Sequence, residues 1–424
     1  MGLSAMTVRS FSGPAGCGKT FQLMAALSGV LRERPLQNGE KVLALTFMHG
    51  SRRRLDERLA ALPISQSHYE CSTLDSFAWR LVRRWQTLLL SIGHQVAAAA
   101  DYELICAQAA ELLAHRVVTL WAACAFPIVV VDEAQDLTPS RLAIIQQLAN
   151  HVELLVASDE FQCLSEDLRP NRACEWLTGM GGEMVLAQPW RTNDRELLAA
   201  ARAVRDGEPP QSGRQFKVVS TPNAGMAATW ISNGISWNRQ GNRVAIITPT
   251  MGDFARSVHT WIETRTTTRG NGPHRVLLEE SEVTRCDRFL EGLALPDELE
   301  ARDAHALMEG HPRTIGKAFT EWVDRQRRCQ GRTEFTRNEV EMTLRQLFSN
   351  QRRMNSGDGA GVRALTVHGA KNREFDVVFV LWPAAIGGDA VQKRRLLYNA
   401  ITRARRSCVV LAQSTRALQA PPFV

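Results

Sequence analysis

GPAGCGKT (residues 13–20) and, further along, VVVDEAQD (residues 129–136) decide the fold. The first has the spacing G-x-x-x-x-G-K-T of a phosphate-binding loop, with a β-branched run before it (Thr7–Ser12) and a helical stretch after it (Phe21–Leu31). Gly13, Gly16 and Gly18 let backbone N–H groups approach phosphates. Lys19 supplies a point charge for the β- and γ-phosphates, and Thr20 offers a hydroxyl to Mg²⁺. The start of the helix adds its partial positive charge, and Phe21 is counted with the nucleotide-binding set. The bland alternatives are a chance match or a loop that no longer hydrolyses. The strand before and the helix after argue against both.

In VVVDEAQD an apolar strand delivers two carboxylates at its C-terminal end. Asp132 is expected to hold Mg²⁺, directly or through water, and Glu133 to orient and deprotonate an attacking water. An acidic turn after a strand is the structural alternative. A carboxylate at Glu133 points to hydrolysis of a nucleoside triphosphate rather than transfer to a second substrate.

Outward from these two stretches, short apolar runs alternate with helical ones: Lys41–Phe47, Ile128–Val131, Glu153–Ala157 and Met184–Leu186 read as strands. A second series follows at Phe216–Ser220, Arg243–Thr248, Arg363–Val367, Val377–Leu381 and Cys408–Ala412. Continuous apolar strands separated by helices predict α/β architecture, parallel sheets covered on both faces. Residues 78–125, Ala/Leu-rich, and 252–361, Arg/Glu-rich, break the alternation and read as mostly helical insertions; the second ends in a linker-like NSGDGAG (Asn355–Gly361).

The chain's 424 residues suffice for two or three domains, and its formal charge of +7 leans toward a polyanionic partner. The nine cysteines include no C-x-x-C pair, which argues against a zinc site or a disulfide framework. No run is long and apolar enough to span a bilayer, and no signal pattern opens the sequence. The expectation is a cytoplasmic protein, nucleoid-associated if bacterial, with no membrane partner.

Further segments follow in a fixed order: ALTFMHGSRRRLDERL (44–59), CSTLDSFAWRLVRR (71–84), DEAQD (132–136), ASDEFQCL (157–164), QPWRTN (188–193), LTVHGAKNREFDVVFV (365–380) and RRLLYNAITRAR (394–405). As an ordered set, with the loop, they resemble the motifs of the UvrD/Rep-like superfamily 1 DNA helicases; residues 194–362 carry little of that similarity. The resemblance implies two RecA-like parallel-sheet domains with the nucleotide between them, each with a mostly helical insertion. The first domain would be 1–77 with 126–195, interrupted by 78–125. The second would be 196–251 with 362–424, interrupted by 252–361.

By the same resemblance, Gln162 senses the γ-phosphate, Arg191 and Arg403 stabilise charge on it in the transition state, Trp190 stacks on the base and Glu374 lies near the ribose. Phe47, Arg52, Arg53, Thr73, Ser76 and Phe77 form a track for single-stranded DNA, joined by His368 and Lys371. The arginines from Arg52 sit at the expected start of a helix, where cations oppose the dipole; a DNA phosphate or a solvated basic face accounts for them equally. Trp79, Trp85 and Trp382 are candidates for base stacking or for the core.

The sequence departs from the family's pattern in places. Only 12 residues precede Gly13, which leaves no room for the usual upstream adenine-selecting glutamine, and the chain ends soon after its last strand. Asp75 replaces a usual His, Ser158 a usual Gly, and Asn372 the Gly after the motif lysine. The leading expectation is an ATP- and Mg²⁺-dependent translocase and helicase on single-stranded or partly duplex DNA, moving 3′ to 5′ by resemblance and acting in DNA repair. The alternative is a DNA-stimulated ATPase subunit that regulates or recruits a separate nuclease in repair or anti-phage defence. A small-molecule kinase leaves the later motifs unexplained.

Overall fold

The computed structural model describes residues 7–47, 49–97, 101–187, 192–279, 282–355 and 361–424. The first sheet comprises β1 (Val8–Ser12), β2 (Val42–Thr46), β3 (Tyr69–Thr73), β4 (Ile128–Asp132), β5 (Glu153–Ser158) and β6 (Glu183–Val185), in the spatial order β3-β2-β4-β5-β1-β6. Every pairing is parallel, with Leu43 opposite Val129, Val130 opposite Leu155 and Phe11 opposite Ala157. β2 and β4 are apolar on both faces because helices cover both, while β6 at the edge is exposed along its length.

This order places β5 between β4 and β1. The residue that follows β5, Asp159, therefore falls between the phosphate-binding loop after β1 and the acidic pair at the end of β4. Ligands in open α/β sheets bind at this carboxyl edge.

The helices Leu74–Arg84, Tyr102–Ala114 and Arg116–Ala125 share one apolar core with β2, β4, β5 and the helix Pro139–Ala149. The segment expected as the first insertion is thus packed into the first sheet's own core, and its first helix starts at Leu74 rather than at 78.

The second sheet contains β7 (Phe216–Ser220), β8 (Arg243–Thr248) and β9 (Val276–Glu279). After an excursion that holds β10 (Glu298–Glu300) and β11 (Glu334–Thr336), it is completed by β12 (Gly361–Thr366), β13 (Phe375–Trp382) and β14 (Ala404–Ala412). Its order is β7-β14-β13-β8-β12-β9, and β7, β14, β13, β8 and β12 pair in parallel. On one face Phe216, Val378, Val380, Cys408 and Val410 meet the helices Arg195–Asp206 and Ala390–Ile401. The helices Ala224–Ser236 and Asp253–Thr264 pack against each other, and β9 joins the second sheet, so residues 253–277 continue this domain rather than opening the second insertion.

The excursion, Leu278–Gly359, is a compact unit of its own. Its helices Arg313–Gln330 and Arg337–Asn355 and the antiparallel pair β10–β11 enclose a core with Phe319, Phe335, Val340 and Leu344. Of the linker read at Asn355–Gly361, residues 356–360 lie outside the described residues. No helix among the described residues is long and apolar enough to cross a membrane.

Candidate active site

The loop after β1 is built on glycine geometry. Gly13, Gly16 and Gly18 have φ of 148°, 79° and 82°, and Gly18 in the left-handed region starts the helix Lys19–Glu33. Lys19 Nζ donates to the carbonyls of Gly13 at 2.8 Å and Pro14 at 3.0 Å, and stands 3.7 Å from Asp159 Oδ2. Thr20 Oγ1 donates to Asp132 Oδ2 at 3.2 Å. Phe21 is exposed beside them.

Glu133 follows Asp132 in a left-handed conformation, φ 62° and ψ 42°, which costs a non-glycine residue about 1 kcal/mol or more. Its carboxylate accepts from Gln135 Nε2. Gln135 is wholly buried and its Oε1 accepts from Asp159 N at 2.9 Å, so one side chain ties the two acidic turns together. Burial first, then the adjacent Glu133, raises the Asp132 carboxyl above its ordinary range, with Lys19 opposing. A hydroxyl and a carboxylate converging in this way suit Mg²⁺, which keeps waters and takes one or two protein oxygens plus phosphates. No cluster of three or more His, Cys, Asp or Glu side chains suited to a metal occurs among the described residues.

Asp159 is the hub. Its carboxylate accepts from Gln162 Nε2 at 2.8 Å and from Arg205 Nη1 at 2.9 Å, and it is 2% exposed. Arg205, on the helix Arg195–Asp206, arrives from the second sheet and lies over the rings of Phe161 and Tyr398. The Tyr398 hydroxyl accepts from Ala15 N of the phosphate-binding loop at 2.7 Å and from Arg205 at 3.3 Å. Three turns of the helix Ala390–Ile401 thus grip the first sheet: Gln392 donates to Leu164 O, Arg395 to Cys163 O and Glu160, and Tyr398 holds the loop. Lys371 adds a buried ion pair to Asp136.

Neither Arg205 nor Tyr398 was assigned a role from sequence. The signal available for Tyr398 was its spacing from Gln392 and Arg395, which puts three polar side chains on one face of an otherwise buried helix. Arg205 left no such signal.

Arg403 is 1% exposed, and its guanidinium donates to Asn399 O at 3.0 Å and to Thr402 Oγ1 at 3.1 Å, at the end of its own helix. Glu374 pairs with Arg405 at 3.4 Å. Trp190 and Arg191 lie outside the described residues.

The expected DNA track divides. Arg52 and His368 are exposed, and Phe47 is half-buried under the Arg141 guanidinium. The Arg53 side chain lies outside the described residues. Thr73 caps the helix Leu74–Arg84, its hydroxyl accepting from Ser76 N and sharing a hydrogen bond with Ser76 Oγ. Phe77 belongs to the core, 2% exposed and edge-on to Phe126. It is not available to a base. Trp382 is likewise buried, and Trp79 and Trp85 pack on the first core.

Two departures from the motif pattern have local explanations. Asn372 has φ 60°, and asparagine is the residue other than glycine that most readily enters the left-handed region. Asp75 pairs with the buried Arg141 at 2.8 Å, in a network with Glu103 and Thr138.

Residues 361–411 match the UvrD-like helicase C-terminal domain, and residues 3–167 match the AAA domain. The chain is UvrD-like in its C-terminal helicase domain, which follows an AAA domain. Among curated proteins, none matches the sequence. Solved structures similar to this UvrD-like chain include the helicase nonstructural protein 10 of an Arterivirus, at 11% identity and a TM-score of 0.40, and the same viral protein in a complex with DNA, at 12% and 0.40. Each comparison covers 98% of this chain and 62% or 63% of the viral one. So distant a likeness says nothing further about the site.

Proposed function

We propose that the chain is an ATP-dependent translocase that moves along single-stranded DNA and unwinds duplexes, with 3′ to 5′ polarity. The observation that supports it best is the meeting at Asp159 of Lys19, from the phosphate-binding loop, and Arg205, from the second sheet. A triphosphate entering the loop competes for Lys19 and thereby disturbs the same carboxylate that anchors Arg205. Binding and hydrolysis then change how tightly the two sheets hold each other, which is what directional stepping on a strand requires.

In this reading Lys19 and the loop N–H groups hold the β- and γ-phosphates. Thr20 and Asp132 hold Mg²⁺, which when bound neutralises charge developing on the phosphate oxygens. Glu133, positioned by Gln135, takes the proton of the attacking water. Gln162 reports the γ-phosphate to Asp159. Arg205 is the described arginine placed to stabilise charge from across the cleft, joined by Arg191. Arg403 keeps the end of its helix in place. Arg52, Phe47 and His368 carry the strand, Lys371 couples it to the acidic turn through its buried pair with Asp136, and Thr73 and Ser76 shape the helix start beside it.

The test is steady-state ATP hydrolysis with and without single-stranded DNA, alongside Lys19→Ala and Glu133→Gln. Stimulation by DNA that disappears in both variants is expected. Hydrolysis indifferent to DNA would remove the motor reading, and full turnover in Glu133→Gln would remove the base assignment.

A further inference from the structure

The tryptophans that sequence reading offered to a strand are packed away, but two others are not. Trp230 is 40% exposed and Trp237 50%, on and just beyond the helix Ala224–Ser236. Side chains alternate across a strand, so with Phe216, Val378, Cys408 and Val410 in the core, Lys217, Val377, Phe379, Ser407 and Val409 face the other way. The helix closes on that face at Gly234, where a Cβ would stand 2.5 Å from the Phe379 ring. Beside this contact the sheet face opens into a groove of about 780 Å³, walled by Trp230 and Trp237.

The groove is cationic. Arg214, Lys217, Arg239 and Arg269 line it, and no Asp or Glu does. Among the described residues Arg214, Lys217 and Arg269 have no carboxylate partner. The Arg269 guanidinium lies 5.0 Å from the Trp237 ring centre, and Arg239 donates to Asn238 O. Four like charges left together on an apolar floor repel one another unless an anion joins them. Gln240 Oε1 in the same wall is buried with no hydrogen-bond partner among the described residues.

Gln215 and Gln240 also line a second groove of about 490 Å³ that runs on to Arg405, Arg406 and Thr192. The carboxylate there, Asp194, is committed to Glu196 N and Leu197 N at the start of its helix. Basic lining therefore continues from Arg269 to Thr192, which also lines the pocket beside Pro14 and Ala15 of the phosphate-binding loop.

We propose that this groove on the outer face of the second sheet is a second binding track for single-stranded nucleic acid, with phosphates on Arg214, Lys217, Arg239 and Arg269 and bases stacked on Trp237 and Trp230. Exposed indole faces accept any base, and a cationic rim follows the backbone. A duplex, whose bases already stack on each other, offers nothing to the indoles. The track is separate from the strand contacts assigned to the cleft, and it requires no hydrolysis.

The test uses the full chain without nucleotide. Anisotropy of labelled oligo-dT gives affinity across a salt series, and intrinsic tryptophan fluorescence reports stacking. Removing three phosphate contacts with Arg214→Ala, Arg239→Ala and Arg269→Ala together is expected to weaken binding and to flatten the slope of log K against log salt by about 2. Trp237→Ala is expected to weaken binding about fivefold or more and to reduce quenching, and Trp237→Phe to restore much of the affinity. Melting curves confirm that each variant folds.

Affinity, slope and quenching unchanged in these variants would overturn the proposal. Loss in the triple variant with Trp237→Ala binding as wild type would overturn it too, since the groove would then attract any polyanion. ATP hydrolysis separates this inference from the motor reading. Groove-dependent binding without DNA-stimulated hydrolysis upholds the track and sinks the motor; stimulated hydrolysis with groove-independent binding does the reverse.

Discussion

Lys371 Nζ and the Asp136 carboxylate lie 2.7 Å apart, each side chain less than a tenth exposed, and join the turn after β12 to the turn after β4. The two residues belong to different sheets and to two different motif segments. Their pairing links a residue given to the strand directly to the acidic turn given to the nucleotide.

Breaking this pair on one side is expected to cost about 3–5 kcal/mol, because a buried charge is left without its partner. Lys371→Met and Asp136→Asn should each lower the melting temperature, and the double variant should recover part of the loss. Burial raises the Asp136 carboxyl above its ordinary value, with Lys371 opposing. The native state therefore holds that proton more readily than the unfolded chain. Its contribution is fullest below the unfolded value and falls as pH rises through the raised native one. Lys371→Met raises the native value further, so its deficit against wild type should widen from acid toward neutral pH. A deficit independent of pH would show that the ion pair is not what the substitution removes.

Tyr398→Phe keeps the ring that meets Phe161 edge-on at 5.0 Å and removes only the hydroxyl that accepts from Ala15 N and Arg205. The lost bond to the loop is worth about 1 kcal/mol. It serves to hold the loop in shape before and after the phosphate arrives, so its loss should raise KM for ATP about fivefold with a smaller change in kcat. A fall in kcat at constant KM would place the hydroxyl in the chemical step instead.

The contrast between legible and illegible parts of the site follows sequence distance. Lys19, Thr20 and Asp132 are fixed by a loop and a strand end, and their types and spacing announce them. Arg205 reaches Asp159 across 46 residues, and Tyr398 reaches Ala15 across 383; only the stacking of two sheets brings them together. β3 and β9 passed unread because edge strands such as YECST carry little apolar signal. Phe77 was readable and misread: Leu74, Phe77, Ala78, Leu81 and Val82 form an apolar face at helical spacing, which places it in the core. Asn372 shows the opposite case, a departure from the motif at a positive φ that glycine also adopts freely.

Arg205 and Arg403 are expected to fail differently. Arg205→Ala removes the cation from a carboxylate shared with Lys19, and should lower kcat for ATP about a hundredfold with nucleotide binding retained. Arg403→Ala removes a buried guanidinium that bonds its own helix end, and should lower the melting temperature first, with turnover following stability. Single-turnover hydrolysis beside thermal melts distinguishes them. Wild-type chemistry in Arg205→Ala together with a stable but inactive Arg403→Ala would return the role to Arg403.

Gly13 marks where the loop depends on backbone clearance. Its φ of 148° is in a region side chains avoid, and a Cβ there would stand 2.3 Å from the Leu186 carbonyl oxygen and 2.9 Å from Cys17 Sγ. Leu186 cannot retreat freely, because its N–H donates to Ser12 O at 2.7 Å and keeps the end of β6 against β1. Gly13→Ala should therefore push the loop off β1, lowering stability by about 1–3 kcal/mol and weakening nucleotide binding more than it slows the chemistry. Gly39→Ala provides the control: φ there is also positive, at 91°, but nothing lies within 4 Å of the added Cβ, so only the backbone strain is felt. Calorimetric binding of a non-hydrolysable triphosphate, beside melting curves, compares the two. Equal losses in both would assign the effect to φ alone and release Leu186 from any part in shaping the loop.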